Sequence, residues 1–192
     1  MQTTGLILAG GRGMRMGQVD KGLQVLRGKT MVAHVLQRLA PQVDSVLINA
    51  NQNVSLYAAF GVPVCPDHLS GFAGPLAGLQ TGLLHCHTPY LVSAPCDSPF
   101  LPLDLVAQLH AGVAANAAQV AVACTGPADQ RQAQPVFCLL STTLLPHLTQ
   151  YLEAGGRKFD GWYASLKVAH VHFADDAAFR NINTINELQQ FE

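Results

Sequence analysis

The sequence predicts an α/β fold in which a parallel sheet is covered by helices on both faces. Three observations lead to this prediction: short apolar runs rich in β-branched residues, longer segments with helical spacing, and the alternation of the two along the chain. Strands that alternate with helices form parallel βαβ units. The ligand crevice of such a sheet lies beyond the carboxyl ends of its strands, so functional residues are expected there.

The strands are predicted from six runs in which apolar and β-branched residues dominate. These runs are residues 6–9, 45–50, 90–94, 120–124, 135–140 and 168–173. Their length and composition are typical of strands buried within a sheet.

The helices are predicted from apolar residues that recur at helical spacing. In "MVAHVLQRLAPQ", Val35 and Leu39 fall on the apolar face, and Pro41 stops the pattern. Further helices are predicted at residues 102–118 and 142–156, and from Pro75 onward. Because no internal repeat, low-complexity tract or linker interrupts the pattern, residues 1–192 are expected to form one domain.

Composition restricts the possible functions. With 12% charged residues and a net charge of -1, the chain has no basic surface to attract a nucleic-acid backbone. The first apolar run is too short for a signal peptide or a membrane span, so a cytoplasmic protein without membrane contact is expected. The five cysteines form no C-x-x-C pair, which favours reduced, packed thiols over disulfides.

The stretch "LILAGGRGMRMGQVDKG" passes from the first predicted strand into glycines and cationic side chains. Gly10 and Gly11 allow backbone N–H groups to turn inward and approach an anion closely. Arg12, Arg15 and Lys21 add charged donors, which suit a triphosphate better than a single phosphate or a carboxylate. The loop is therefore predicted to hold a triphosphate; the alternative is a flexible turn with solvated arginines.

Two familiar phosphate-binding patterns do not fit. The dinucleotide pattern G-x-G-x-x-G requires a glycine at position 16, but the next glycine is Gly17, and the stretch "NANQN" lacks the acidic residue expected after the second strand. The P-loop pattern would need a glycine where Leu23 stands. Gly28 is instead expected to form the turn before the first helix.

Polar residues also follow the later strands. Asp97, in "APCDSPFLP", is predicted to be a Mg²⁺ ligand, since that ion prefers carboxylate oxygen; the alternative is a cap of the turn before Pro99. Asp67 either accepts from a base N–H or ribose hydroxyl or caps a turn, and Asn49 either binds the nucleotide or forms a turn. A helix beginning near Pro75, with small Gly74, Ala77 and Gly78, would leave room for a base or ribose.

The C-terminal segment "NINTINEL" contains a capping-box pattern, from Thr184 to Glu187, that predicts the start of the last helix. Asn181 and Asn183 are then free either to enter the crevice or to form a local turn. Arg157, after two glycines, would either meet an anionic acceptor or lie at a solvated helix start.

Together these segments resemble the molybdenum cofactor guanylyltransferases of the MobA type. "LILAGGRGMRMGQVDKGL" matches their L-A-G-G-x-x-x-R-M-G-x-x-D-K signature, and the similarity continues through "INANQN", "PDHLSGFAGPLAGL", "APCDSPFLP", "QPVFCLL" and "FRNINTINEL". The resemblance covers nearly the full chain. It implies a Rossmann-like three-layer sandwich with a mostly parallel, mixed sheet of the nucleotide-diphospho-sugar transferase type.

The resemblance also implies the reaction: GTP and molybdopterin, normally carrying molybdenum, give the guanine dinucleotide cofactor and pyrophosphate. The N-terminal half would bind the nucleotide and the C-terminal half the acceptor. The GTP-binding positions would be Leu8, Ala9, Gly10, Gly11, Lys21, Asn49, Asp67, Gly74, Gly78 and Asp97. Arg15, Lys21 and Asp97 would be catalytic, Asp97 would hold Mg²⁺, and Asn181, Asn183 and Arg157 would lie on the acceptor side. Proteins that deliver molybdopterin and mature molybdoenzymes would be separate, transient partners.

Two alternatives remain. One is a related nucleotidyltransferase that uses CTP on the same pterin or another nucleotide on a sugar or alcohol phosphate, although "LAGG" rather than "LAAG", with Asp20-Lys21, resembles the guanine enzyme. The other is a nucleotide-binding regulator without catalysis, which the presence of Arg15, Lys21 and Asp97 disfavours.

Overall fold

A computed structural model describes residues 1–10, 20–68 and 74–191. The strands are β1 (Thr3–Leu8), β2 (Val25–Leu26), β3 (Lys29–Thr30), β4 (Ser45–Asn49), β5 (Val64–Cys65), β6 (Tyr90–Pro95), β7 (Val120–Thr125), β8 (Gln132–Ser141) and β9 (Val168–His172). The helices are α1 (Met31–Leu39), α2 (Val54–Ala58), α3 (Pro75–Leu84), α4 (Leu105–Asn116), α5 (Leu145–Glu153), α6 (Phe159–Tyr163) and α7 (Ile185–Gln189). A short 3₁₀ turn, Lys21–Leu23, precedes β2.

Seven strands form one sheet in the order β5-β4-β1-β6-β8-β7-β9, and β2 and β3 form a separate hairpin. The core on one face contains apolar side chains of α1 and α4, and the core on the other face contains those of α3, α5 and α6. All six residues of β1 are buried because this strand lies between β4 and β6 and under helices on both faces. The predicted covering of both faces is therefore confirmed, and it gives the three layers of the sandwich.

The six predicted strands are present, but β8 runs antiparallel to both β6 and β7. Alternation alone predicted a parallel sheet, whereas the mixed sheet implied by the resemblance is confirmed. The physical reason is the short connection between β7 and β8, because a parallel pair would need a crossover of a dozen or more residues.

The strand β8 also begins earlier than predicted and contains an irregularity at Pro135. In its pairing with β7, Cys138 lies opposite Val122, whereas Gln134 lies opposite the next residue, Ala123. Proline has no N–H to donate, so it is tolerated at such a bulge. The pairing of β6 with β8 ends at Ser93, so the two strands separate toward the end where β6 finishes.

The hairpin before α1 explains the Gly28-Lys29-Thr30 stretch that resembles part of a P-loop. Arg27 and Gly28 both have positive φ, 48° and 77°, and connect β2 to β3 in a two-residue turn. The prediction that Gly28 forms a turn before the helix is confirmed.

The topology indicates where a ligand would bind. From β1 the chain moves to β4 and β5 on one side, and then returns to place β6 on the other side of β1. The carboxyl ends of β1 and β6 therefore flank a topological switch point, where open α/β sheets bind ligands. No helix within the described ranges is long and apolar enough to cross a membrane.

Candidate active site

Three side chains from distant parts of the chain meet at this switch point. The Lys21 ammonium lies 3.2 Å from Asp97 Oδ2 and donates a 2.6 Å hydrogen bond to Asn183 Oδ1. Lys21 and Asp97 are 22% and 13% exposed, so the charges are partly shielded and still accessible from the crevice. The structure thus brings together a predicted triphosphate-binding lysine, a predicted metal ligand and a predicted acceptor-side amide.

Backbone hydrogen bonds place Asp97 directly after β6. The amide of Cys96 donates to Leu8 O at 3.0 Å, so the chain leaves β6 alongside the end of β1. The Asp97 carbonyl accepts from Ile182 N at 2.9 Å, which attaches the C-terminal segment to the same strand end. Among the described residues the Asp97 carboxylate is bonded to Lys21 and does not cap the turn before Pro99.

The C-terminal segment brings both predicted asparagines to the end of β6. Buried Ser98 donates its hydroxyl to Asn181 Oδ1, and Asn183 contacts Lys21. The predicted capping box is confirmed: Glu187 N donates to Thr184 Oγ1, and the Glu187 carboxylate accepts from Thr184 N. That carboxylate also accepts a 2.6 Å bond from Asn183 N, so the start of α7 fixes the backbone that carries Asn183.

A second polar group lies at the ends of β4 and β5. Asn49 Nδ2 donates to Asp67 Oδ1 at 2.9 Å, and Asn51 Nδ2 donates to Asp67 Oδ2 at 2.8 Å. Asn51 Oδ1 accepts from Asp67 N at 2.8 Å, so the Asn51 side chain bonds both the carboxylate and the backbone of Asp67. The two asparagines hold the Asp67 carboxylate in one orientation. Asn51 is a residue that the sequence interpretation missed.

Close packing at two glycines sets the position of Asn49. A Cβ on Gly10 would lie 3.1 Å from Asn49 Oδ1, and one on Gly78 would overlap that oxygen and lie 2.6 Å from Leu8 Cδ2. The space beside Gly78 is therefore filled by Asn49 and Leu8 and not left open for a base. Gly78 thus allows α3 to pack closely against these strand ends, and its predicted role in GTP binding stays a prediction.

The helix predicted near Pro75 begins at that residue. Gly74 is its N-cap residue, with φ of 81°, and has no atom within 4 Å of a built Cβ. Glycine favours this left-handed region, and proline is well suited to the first helical turn.

Arg157 lies just beyond the end of α5 and is exposed. Its guanidinium donates to Leu152 O at 2.8 Å and Gly156 O at 2.6 Å, which satisfies carbonyls at the helix C-terminus. Its predicted contact with an acceptor stays a prediction.

The turn that carries Lys21 is held by Asp20 and by two residues that the sequence interpretation did not select. The Asp20 carboxylate accepts from Tyr57 Oη at 2.6 Å and from Asn53 Nδ2 at 3.0 Å. Burial, with smaller contributions from Cys96 and Asp20, raises the pKa of Tyr57 far above its ordinary value. Burial also raises the pKa of the Cys96 thiol well above its ordinary value, which favours the protonated thiol over the nucleophilic thiolate.

Several predicted residues lie outside the described residues: Gly11, Arg12 and Arg15 of the opening loop. Their predicted roles stay predictions. Of the loop predicted to hold a triphosphate, the structure describes only the two ends, at the β1 terminus and at Lys21.

The fold, with polar groups gathered at the switch point, defines an α/β protein whose candidate ligand site lies at the carboxyl ends of its strands. The structure of molybdopterin-guanine dinucleotide biosynthesis protein A from Archaeoglobus fulgidus has the same fold, with a TM-score of 0.79 at 22% identity over 98% of this chain and 96% of that one. The 4-diphosphocytidyl-2C-methyl-D-erythritol synthase of Anaerococcus prevotii gives a TM-score of 0.77 at 12% identity, with 99% and 96% covered.

Sequence comparison gives the family. The model of the MobA-like NTP transferase domain matches residues 5–168. Molybdenum cofactor guanylyltransferases from Cupriavidus taiwanensis and Ralstonia nicotianae are 55% and 56% identical, over 98% and 97% of this chain and 96% and 94% of theirs. The chain belongs to the molybdenum cofactor guanylyltransferases, which are nucleotidyltransferases with a MobA-like domain. The resemblance identified from the sequence is confirmed.

Proposed function

We propose that this chain transfers GMP from GTP to the phosphate of molybdopterin, giving the guanine dinucleotide cofactor and pyrophosphate. The observation that carries the proposal is the meeting of Lys21, Asp97 and Asn183 at the switch point of a chain that belongs to this family. A cation, a carboxylate and an amide at one strand end are the groups needed to hold a triphosphate, its metal and an acceptor phosphate.

The N-terminal half would bind GTP. The backbone of Leu8, Ala9 and Gly10 leads into the triphosphate loop, and Lys21 lies at the other end of that loop. Asn49 and Asp67 would bind the nucleoside, since their polar side chains are already oriented at the ends of β4 and β5. Arg15 and Gly11 would complete the triphosphate site, and Gly74 would begin the helix beside it.

Asp97 would hold Mg²⁺. Its carboxylate is partly exposed at the crevice, and within the described ranges no group of three or more His, Cys, Asp or Glu side chains is placed to hold a metal. A site with one carboxylate fits Mg²⁺, which keeps several waters and takes other ligands from substrate phosphates. When bound, the ion would supply positive charge that stabilises the negative charge developing on the phosphates.

The C-terminal half would bind the acceptor. Asn183 and Asn181 are attached to the end of β6 through Lys21 and Ser98, so an acceptor phosphate held beside them would face the nucleotide. Arg157 would contribute to the same half. Proteins that deliver molybdopterin or receive the product would be separate chains, and the reaction would take place in the cytoplasm.

The chemistry needs no strong general base. The second pKa of a phosphomonoester is about 6, so the attacking phosphate oxygen is ionised near neutral pH. This oxygen would attack the α-phosphorus of GTP in line, and pyrophosphate would leave as the α–β bridging bond breaks. Lys21 would bind the triphosphate and neutralise its charge, while Asn183 fixes the lysine; catalysis would come from positioning and charge stabilisation.

The test is pyrophosphate release with Mg²⁺ and molybdate-loaded molybdopterin, with GTP, CTP, ATP and UTP supplied separately. Release with GTP alone, lost in Asp97→Asn, is the expected result. A preference for CTP would assign the chain to a different nucleotidyltransferase activity. Nucleotide binding without release from any of the four would favour the regulator.

A further inference from the structure

A buried phenol and a carboxylate hold the turn that carries Lys21 from both sides. Asp20, the residue before Lys21, is the N-cap of the 3₁₀ turn, and its Oδ1 accepts from Gly22 N at 3.2 Å. The same oxygen accepts from Tyr57 Oη at 2.6 Å, and Oδ2 accepts from Asn53 Nδ2 at 3.0 Å.

Tyr57 also packs against the backbone on the other side of Lys21. This side chain is 0% exposed and belongs to the core that covers β1, β4 and β6. A Cβ on Gly22 would overlap the Tyr57 hydroxyl oxygen and lie 3.2 Å from Cys96 Sγ. Cys96 precedes Asp97, so the turn is wedged between the phenol and the strand end that carries the carboxylate.

The described hydrogen bonds of the Asp20 carboxylate are made with residues other than Lys21. The described donors to this carboxylate are a phenol, an amide side chain and a backbone N–H, all of them neutral. Lys21 makes its ion pair with Asp97, although Asp20 is its neighbour in sequence. A cap such as Asp20 is enough for a short turn. This cap also accepts a hydrogen bond from Tyr57, a fully buried residue 37 positions away.

We propose that Asp20 and Tyr57 are positioning residues that fix the Lys21 ammonium beside Asp97 for GTP binding and GMP transfer, an inference that rests on the proposed function. In Tyr57→Phe only the hydroxyl is lost, the Asp20 carboxylate loses a buried donor, and the turn is free to shift. Misplacement of a substrate-binding group by about 1 Å can cost on the order of a hundredfold in rate. We expect kcat/KM for GTP to fall by about tenfold to a hundredfold.

The test is a double-mutant cycle on the full chain. The GTP dissociation constant and pyrophosphate release are measured for wild type, Tyr57→Phe, Lys21→Met and the double variant, with urea unfolding of each. Tyr57→Phe should weaken GTP binding and turnover in the wild-type background and have little further effect when Lys21 is absent. An equal fold-change in both backgrounds would mean that the hydroxyl supports only the fold and would overturn the proposal.

Two further comparisons separate positioning from direct action. Asp20→Asn, which keeps an acceptor for Tyr57 and Gly22, should retain most activity, whereas Asp20→Ala should resemble Tyr57→Phe; equal damage from both would mean that the charge itself acts. Tyr163→Phe is the matched control, because this half-buried tyrosine donates its hydroxyl to Pro135 O, in β8 and not in the Lys21 turn.

A crystal structure of Tyr57→Phe gives a result that does not depend on the ligand. Displacement of Lys21 from Asp97 is expected, and an unchanged Lys21 position overturns the proposal. If another nucleotide binds in place of GTP, the proposed function is wrong. The double-mutant cycle is then run with that nucleotide, and it still tests whether Tyr57 positions Lys21.

Discussion

Lys21 and Asn183 are joined by a 2.6 Å hydrogen bond across 162 positions of sequence. Lys21 follows the loop after β1 and Asn183 precedes α7, so this bond links the N-terminal and C-terminal parts of the chain. It places the C-terminal segment over the same strand end that carries Asp97. An amide from the proposed acceptor half thus orients the cation of the proposed nucleotide half.

Removal of the Asn183 amide should loosen Lys21. A hydrogen bond to a charged group is worth about 1.5–3 kcal/mol, so Asn183→Ala should lower kcat/KM for GTP by about tenfold to a hundredfold. Pyrophosphate release at varied GTP concentration measures this. Asn116→Ala is the control, because this exposed asparagine bonds only the α4 carbonyl of Gly112 among the described residues. Unchanged kinetics in Asn183→Ala would mean that the bond plays no part in the reaction.

Lys21→Ala should lower kcat by on the order of 10²–10³ and also weaken GTP binding, by analogy with loss of an oxyanion-hole donor. The cause is the loss of a cation that faces both the triphosphate and the departing pyrophosphate. Lys29→Ala is matched to it, since Lys29 is exposed on the β2–β3 hairpin and donates to Gln37. A wild-type rate in Lys21→Ala would mean that this lysine neither binds the triphosphate nor takes part in catalysis.

Asp97→Asn should abolish turnover without unfolding the chain. The amide keeps the shape of the carboxylate but is a poor Mg²⁺ ligand, because the ion prefers anionic oxygen. The measurements are the Mg²⁺ dependence of pyrophosphate release and urea unfolding. Asp104→Asn, at an exposed carboxylate that accepts from Gln108, should retain full activity. Undiminished, Mg²⁺-dependent release by Asp97→Asn would show that the metal is held elsewhere.

Asn51 orients Asp67, so Asn51→Ala should raise KM for GTP by about tenfold while kcat changes less. We expect KM to change more than kcat because Asn51 and Asp67 lie at the ends of β4 and β5, whereas Asp97 follows β6. Steady-state kinetics with GTP checks it, with Asp67→Ala for comparison. If Asn51→Ala lowered kcat and left KM unchanged, the group would belong to the reacting centre.

His110 should make stability fall in acid. Burial, and to a smaller extent the Met1 α-amino group, lowers the pKa of His110 below its ordinary value of 6.5. The imidazole bonds Thr3 Oγ1 at 2.8 Å, and its Nδ1 has no partner among the described residues. The unfolded chain then binds more protons, so the contribution of His110 is fully present above pH 6.5 and declines as pH falls below it.

Urea unfolding at pH 7.5 and 5.5 measures this decline. His110→Gln should lose less stability between the two values than wild type, whereas His87→Gln, at an exposed histidine, should behave as wild type. An identical loss in all three proteins would exclude His110 as the source.

The sequence predicted the elements that have long, regular patterns, such as the buried strand β1 and the amphipathic helix α1. Lys21 and Asp97, which meet in the structure, were selected because each is a charged residue after a strand or a glycine-rich loop; their roles stay predictions. The direction of β8 was missed, although the short link from β7 was a usable signal. Tyr57 could not be found, since it lies in the five-residue helix α2 and meets Asp20 only in the folded chain.

The fate of phosphorus label from GTP in the presence of molybdopterin tests GMP transfer most directly. We predict that label in the α-phosphate appears in the pterin product and that label in the γ-phosphate appears in pyrophosphate, with both lost in Asp97→Asn. Transfer of γ-label to the acceptor, or release of α-label as free GMP, would contradict GMP transfer at this site.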